Sequence, residues 1–225
     1  QMLIVEKEMF SDGMPQEALM EKAGIQISRW LLKKKPLLNN GITVFIGPGH
    51  NGGDGAVIAR ELFLKGFYVQ VWCPFPIKKT LTNDHLNYLT SIGVTKLVEP
   101  PDANRKDLWI DAVFGNNQTR KVDDKLIKLF NQKFHKKSGK VISIDIPTGL
   151  CPDKGEPFLD NAVKADYTLA IGLYKIGLTQ DSALPFIGEL HHIDIGIPTS
   201  KLSKVEKKIF KVTYKDIKNI DLPSL

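Results

Sequence analysis

Apolar positions along the chain recur with two periods, and the switches between them mark the elements. Over residues 15–34, Ala18, Leu19, Ala23, Ile27, Trp30 and Leu31 return at helical spacing. The lysines at 33–35 favour the C-terminal end of that helix, and Pro36 stops it. Residues 42–46 read as a buried strand. A glycine-rich loop and a helix from about Gly53 to Lys65 follow, the helix ending at Gly66. The spacing then predicts a strand over 67–72, a helix over 82–92 closed by Gly93, and a short strand over 95–98. Further strands are expected at 108–113 and 140–144, separated by a helix over 121–134, and at 167–171 and 190–195.

Short apolar strands alternating with helices imply an α/β chain: a doubly wound, Rossmann-like, mostly parallel sheet with helices on both faces. In such sheets ligands sit beyond the C-terminal strand ends, near the point where strand order reverses. Three loops that directly follow strands carry unusual residues, at 47–55, 111–121 and 145–149, and should open at one edge. That convergence is the physical reason to look there for a site.

Composition narrows the picture. The chain has 225 residues, enough for one large α/β domain or a domain plus a tail. No apolar run approaches the ~20 residues of a membrane-spanning helix. The start lacks a basic region followed by a long apolar one, so no signal peptide is expected, and Gln1 ahead of Met2 reads as a tag remnant. Cys73 and Cys151 are too few for a disulfide framework and lack metal-ligand spacing, so a reducing cytoplasm is the expected compartment. The net charge of +6 is largely local, in lysine clusters at 33–35, 78–79, 136–137 and 207–208. No aromatic residues interleave with them, so no nucleic-acid groove is expected. The charge reads as solubility and mild attraction for an anionic ligand.

Residues 47–52, Gly-Pro-Gly-His-Asn-Gly, formally match the dinucleotide fingerprint between a strand and a helix. That fingerprint also wants an acid about 20 residues on to bind ribose. Val71, Trp72, Cys73 and Pro74 stand there instead, which disfavours a hydride-transferring dehydrogenase. No Gly-Lys-Ser/Thr follows, so it is not a Walker loop. The glycines continue through Gly52, Gly53 and Gly55. They let backbone N–H groups approach a ligand, and the helix N-terminus behind favours a phosphate. The alternative is a tight turn in which Asp54 caps the helix. Adjacent His191 and His192 on a strand should point to opposite faces, one to the core and one to solvent, and form no metal pair.

At this point the motifs become specific. Residues 47–55, with Ala59 and Arg60 behind them, resemble the signature of the NAD(P)H-hydrate epimerase family, also called the YjeF N-terminal domain family. Residues 18–24, 110–115, 143–149, 165–168 and 173–178 resemble further segments of that family in order, so the likeness spans most of 15–198. It implies an isomerase acting on hydrated NADH or NADPH, interconverting the R and S forms at nicotinamide C6. C6 is a hemiaminal carbon: the N1 lone pair expels its hydroxyl when an acid protonates it, and water returns from the other face. One carboxyl near C6 suffices.

Asp145 is the expected acid/base. It ends a buried strand ahead of Pro147, where desolvation would help it donate a proton. The alternative is a carboxylate that only binds neighbouring loop amides. The resemblance also implies substrate binding by His50, Asn51, Gly52, Gly53 and Asp54, by Gly115, Asn116, Asn117, Gln118, Thr119, Arg120 and Lys121, and by Asp145 itself. Potassium ligands are implied at Asn51, Asp111 and Thr148, where the family usually has Ser at the last position; hard cations take such oxygen donors. For Asp111 a plain loop anchor is the alternative. His50 stands where the family usually has Asn, and either donates to substrate or simply replaces that Asn. The 115–121 loop departs from the family by losing a glycine and an apolar residue and gaining Arg120 and Lys121, cations that could meet phosphates.

Residues 1–200 are expected to form the epimerase domain and 201–225 a lysine-rich linker, with 210–217 leading into an ADP- or ATP-dependent dehydratase domain of a longer bifunctional repair enzyme. A separate dehydratase would serve equally as partner, and the resemblance admits a homodimer. The competing reading is a non-catalytic nucleotide- or protein-binding scaffold of the same fold. Retention of Asn51, Gly52, Gly53, Asp54, Asp111 and Asp145 favours the enzyme.

Overall fold

A computed structural model of the chain describes residues 2–119 and 122–202. Among these, seven strands form one sheet: β1 (Ile42–Ile46), β2 (Val69–Trp72), β3 (Thr95–Leu97), β4 (Leu108–Ala112), β5 (Val141–Ile144), β6 (Tyr167–Ile171) and β7 (Glu189–Ile193). Their order is β3-β2-β1-β4-β5-β6-β7, and every pairing is parallel. The chain runs outward from β1 to β3 and then returns to place β4 on the other side of β1, from Ile42 beside Leu108 to Ile46 beside Ala112. The expected doubly wound fold is therefore present, with its reversal between β1 and β4.

Alternation along β1 explains why both faces are covered. Ile42, Val44 and Ile46 join Val71, Ile110 and Ile144 on the face under helices α2 (Gln16–Leu32), α3 (His50–Leu64) and α4 (Thr80–Ser91). Phe45 points the other way and meets Phe130 of α5 (Asp124–Lys136) at 4.2 Å and Trp109 at 4.8 Å between ring centroids. Full burial of each such side chain contributes about 1.5–3 kcal/mol. Between β5 and β6 the chain crosses without a helix; Ile146, Leu150 and Ala162 pack there against Leu178, Ala183 and Ile187.

Several expectations are corrected. Helix α3 begins at His50, not near Gly53, with Gly49 as its N-cap. Gly52, Gly53 and Gly55 therefore lie inside the helix, where close packing requires them. A Cβ on Gly52 would collide with the Gly47 backbone, one on Gly53 with Met20, and one on Gly55 would lie 2.5 Å from the Ala112 Cβ. An N-terminal helix, α1 (Met2–Ser11), was not expected. It buries Met2, Val5 and Met9 but leaves Leu3 and Ile4 exposed, so its apolar residues mark no single face. Neither histidine of the 191–192 pair reaches the core, because β7 is an edge strand. His191 leans on Trp30 at 4.9 Å, while His192 bonds the Gly172 carbonyl.

The short helix α6 (Leu184–Ile187) precedes β7, and α7 (Thr199–Leu202) follows it. Helix α7 crosses the boundary expected at 200. Its Lys201 pairs with Asp12 at 2.5 Å and Glu8 at 3.4 Å on α1, rather than lying free in a linker. The rest of the expected linker and lead-in, residues 203–225, lies outside the described residues, as do Arg120 and Lys121.

Candidate active site

The C-terminal ends of β1, β4, β5 and β6, walled by α1 and α2, enclose a cleft of about 380 Å³. That volume lies within the range of small-molecule sites. His50, Asn51 and Asp54 reach it from α3, residues 115–118 from the loop after β4, and Asp145 from the loop after β5. The three loops do converge at the strand reversal. Gly52, Gly53 and Thr119 do not line the cleft, and Asp111 and Thr148 lie fully buried beneath it.

Asp145 stands at the centre of this arrangement. Its backbone adopts φ +70°, a left-handed conformation that Asp tolerates better than most side chains. The Asn116 N–H donates to Oδ2 at 2.8 Å and the Ile171 N–H to Oδ1 at 3.3 Å. The Lys175 ammonium pairs with Oδ1 and also donates to the Ile171 carbonyl at 2.9 Å. Both side chains are buried. Asp145 is buried, as expected of a residue ending a buried strand, and its carboxylate is held by a cation and two amides that the sequence did not reveal.

Sequence reading gave no role to Lys175, although it stands in the quoted 173–178 segment. A lone lysine in an apolar stretch just past a strand at this edge was the available signal. Glu6 was also missed, because helix α1 was. It faces the cleft, where burial raises its carboxyl above the ordinary value, the Asp145 charge raises it further, and Lys175 partly offsets both. Burial holds the Asp54 carboxyl well above its ordinary value, with Asp145 and Glu6 pushing the same way.

The remaining candidates divide between cleft and scaffold. Gln16 Nε2 donates to His50 Nδ1 at 3.1 Å, and burial, then Lys79, lowers the tendency of His50 to protonate. Gln118 lines the cleft, but both ends of its amide are engaged. It donates to the Pro147 carbonyl at 3.1 Å and accepts from the Gly149 N–H at 2.8 Å, tying the loop after β4 to the loop after β5. Lys78 and Lys79 form an exposed cationic rim.

Asp111 accepts from Thr148 Oγ1 at 2.7 Å, Thr148 N–H at 2.9 Å, Ser143 Oγ at 3.0 Å and Val113 N–H at 3.3 Å. Burial raises its carboxyl despite these donors. Asn51 donates to the Ile144 carbonyl at 3.4 Å, while its Oδ1 is buried with no partner among the described residues. Such an orphaned oxygen costs about 1–3 kcal/mol unless something binds it. Cys73 and Cys151 are both free, and no helix among the described residues is long and apolar enough to cross a membrane.

Residues 16–177 match the family described as YjeF-related protein N-terminus. The chain belongs to this family. Its relatives include a Synechocystis protein named bifunctional NAD(P)H-hydrate repair enzyme Nnr. The two are 39% identical over 94% of this chain and 40% of that protein. A Lentilactobacillus buchneri protein named NAD(P)H-hydrate epimerase is 32% identical over 82% of this chain and 86% of its own length. Family members thus include long and short forms, and this chain spans about 40% of the length of the bifunctional relatives it matches. The crystal structure of yeast ynu0 (YNL200c) is similar to the chain at a TM-score of 0.70, with 23% identity over 84% of each chain, which shows the shared fold.

Proposed function

We propose that the chain is an isomerase that interconverts the R and S forms of NADH or NADPH hydrated at nicotinamide C6, within nucleotide repair. The observation that carries this reading is the Asp145 carboxylate, fixed by Lys175 and two amides against a cleft of about 380 Å³. Expulsion of the C6 hydroxyl leaves a cationic, iminium-like ring. A fixed carboxylate stabilises that charge as it develops, without reorganising. Asp145 then accepts a proton from the water that adds to the opposite face, and the electron pair returns to N1.

The cleft is polarised in a way that orients such a substrate. Carboxyl groups of Glu6, Asp54 and Asp145 lie inside; Lys78, Lys79 and the α3 N-terminus lie at the rim. Phosphates belong at the rim and the ring inside. Asn51, Asp111 and Thr148 offer amide, carboxylate and hydroxyl oxygens suited to potassium, and the partnerless Asn51 Oδ1 supports that fit. A cation there would pin the loops after β1, β4 and β5 and add positive charge beneath the cleft. The likeness to bifunctional repair enzymes supports a second repair activity as partner; in this reading that partner is a dehydratase, fused or separate, that removes one epimer, and the setting is the cytoplasm.

Chiral separation of hydrated NADH epimers, with and without the protein, tests the reading. Asp145→Asn should retain the fold and slow epimerisation by about 10²–10⁴-fold, the usual contribution of a positioned acid/base. A wild-type protein that leaves the epimer ratio unchanged would overturn the function, and an Asn variant at full rate the role of Asp145.

A further inference from the structure

The epimerisation needs a proton delivered to the departing hydroxyl as well as one removed from the returning water. An ammonium and two amides all donate to Asp145, an arrangement that suits it to take the proton from the returning water. Glu6 differs in each respect. It comes from α1, the outer wall, whereas Asp145 comes from the sheet edge. No protein hydrogen-bond donor reaches its carboxyl among the described residues. It is half-buried, so it faces the cleft yet can exchange protons with solvent.

Resting on the epimerase reading above, we propose that Glu6 is a second catalytic residue, the acid that protonates the leaving C6 hydroxyl from the helical wall while Asp145 serves as base from the sheet edge. In one direction the Glu6 carboxyl gives its proton to the C6 oxygen, the C6–O bond breaks, and the N1 lone pair forms the C6–N1 double bond. Water departs. Water then adds from the other side, its proton passes to Asp145, and the double-bond pair returns to N1. The next turnover begins after solvent returns the proton from Asp145 to Glu6; in the reverse direction the two residues exchange roles.

Titratable and charged groups that line the cleft with Glu6 are His50 and Asp54 from α3, Lys78 and Lys79 ahead of α4, Asp145 after β5 and Lys175 after β6. On the other side of α1, Lys201 pairs with Glu8 and Asp12. Burial and Asp145 favour the protonated form of Glu6, whereas Lys175 opposes it. Asp54 is the rival acid, but it is held well above its ordinary value by burial together with Asp145 and Glu6. Glu6 suits the task better by position: it stands on the helical wall of α1, apart from the sheet edge that carries Asp145, whereas Asp54 lies in α3, the helix that leaves that edge after β1.

The test compares wild type, Glu6→Gln, Glu6→Asp and Asp54→Asn in the chiral assay. Each is run across pH and in oxygen-18 water, with folding checked by thermal melting. Wild-type turnover establishes the reaction independently of Glu6. Glu6→Gln is expected to lose about 10²–10⁴-fold in both epimerisation and solvent-oxygen exchange, and to lose the decline in rate that wild type shows at alkaline pH. Glu6→Asp should recover part of the rate and restore that decline. A folded Glu6→Gln protein with wild-type rate and pH profile would overturn the proposal. So would an Asp54→Asn protein that alone loses the alkaline decline.

Discussion

Replacing Lys133 by Met should destabilise the protein severely while leaving the chemistry of each folded molecule intact. Lys133 reaches from α5 to Asp107, just before β4, and the pair is essentially inaccessible, with side-chain exposures of 0% and 1%. Its ammonium donates to the Arg105 carbonyl at 2.8 Å and to Asp107 at 3.3 Å, and lies 4.6 Å from the centre of the Trp109 ring. At the 3.3 Å between ammonium and carboxylate, with an effective dielectric constant of about 20, the pair attracts by roughly 5 kcal/mol. Desolvation opposes this gain, but in the variant it falls on Asp107 alone, left with the Thr43 hydroxyl as donor. Unpartnered buried charges cost about 3–5 kcal/mol. For a chain of this size that corresponds to a melting temperature lower by roughly 6–20 °C. Urea unfolding of Lys133→Met, Asp107→Asn and the double variant measures it. The double variant should recover most of the loss, since its buried charge is gone. Because the pair sits at the opposite end of β4 from the cleft, epimerisation per folded molecule should not change. A single Lys133→Met variant within about 1 kcal/mol of wild type would refute the reasoning.

Two further outcomes follow from the buried carboxyls. Asp54 binds its proton more tightly folded than unfolded, so its contribution is full below the unfolded value of 3.8 and disappears as pH rises through the raised folded value. Asp54→Asn should therefore gain stability over wild type as pH rises above about 4. Urea midpoints across pH test this, and a gap that stays constant or shrinks would contradict it. If potassium occupies the Asn51–Asp111–Thr148 cluster, potassium chloride should raise the melting temperature above tetramethylammonium chloride at equal ionic strength. Asp111→Asn should remove that difference; identical wild-type melting in both salts would refute the cation.

The fold was legible because its central strands are apolar runs too short for helices, separated by glycine and proline stops. Asp145 was legible for a related reason: a polar residue directly past such a run must lie at the sheet's C-terminal edge; Asn51 and Asp54 lie in the first turns of α3 and were legible through the family resemblance of 47–55. Glu6 and Lys175 were not, because their relation to the cleft is made by long-range packing. Helix α1 has apolar residues on both faces, and Lys175 reaches Asp145 from 30 residues on. The glycines misled for the opposite reason. Gly52, Gly53 and Gly55 are a response to Gly47, Met20 and Ala112, neighbours invisible to local pattern. Gln118 likewise holds two loops together, a task that its position in a divergent loop did not suggest.

The left-handed backbone at Asp145 has an evolutionary consequence. Asp and Asn are the non-glycine residues that occupy this conformation most readily, and their codons differ by one base. A single transition there exchanges the reacting carboxylate for an unreactive amide that suits the same backbone conformation, at the loss of one acceptor. Lys175 would then lose its counter-charge, but the cationic rim and the cleft's apolar walls would persist. A gene copy freed from selection for turnover could thus become a nucleotide-binding module in two steps, the second neutralising the buried Lys175. Descendants that keep Asn with a neutral residue in place of Lys175 would carry the record of that route.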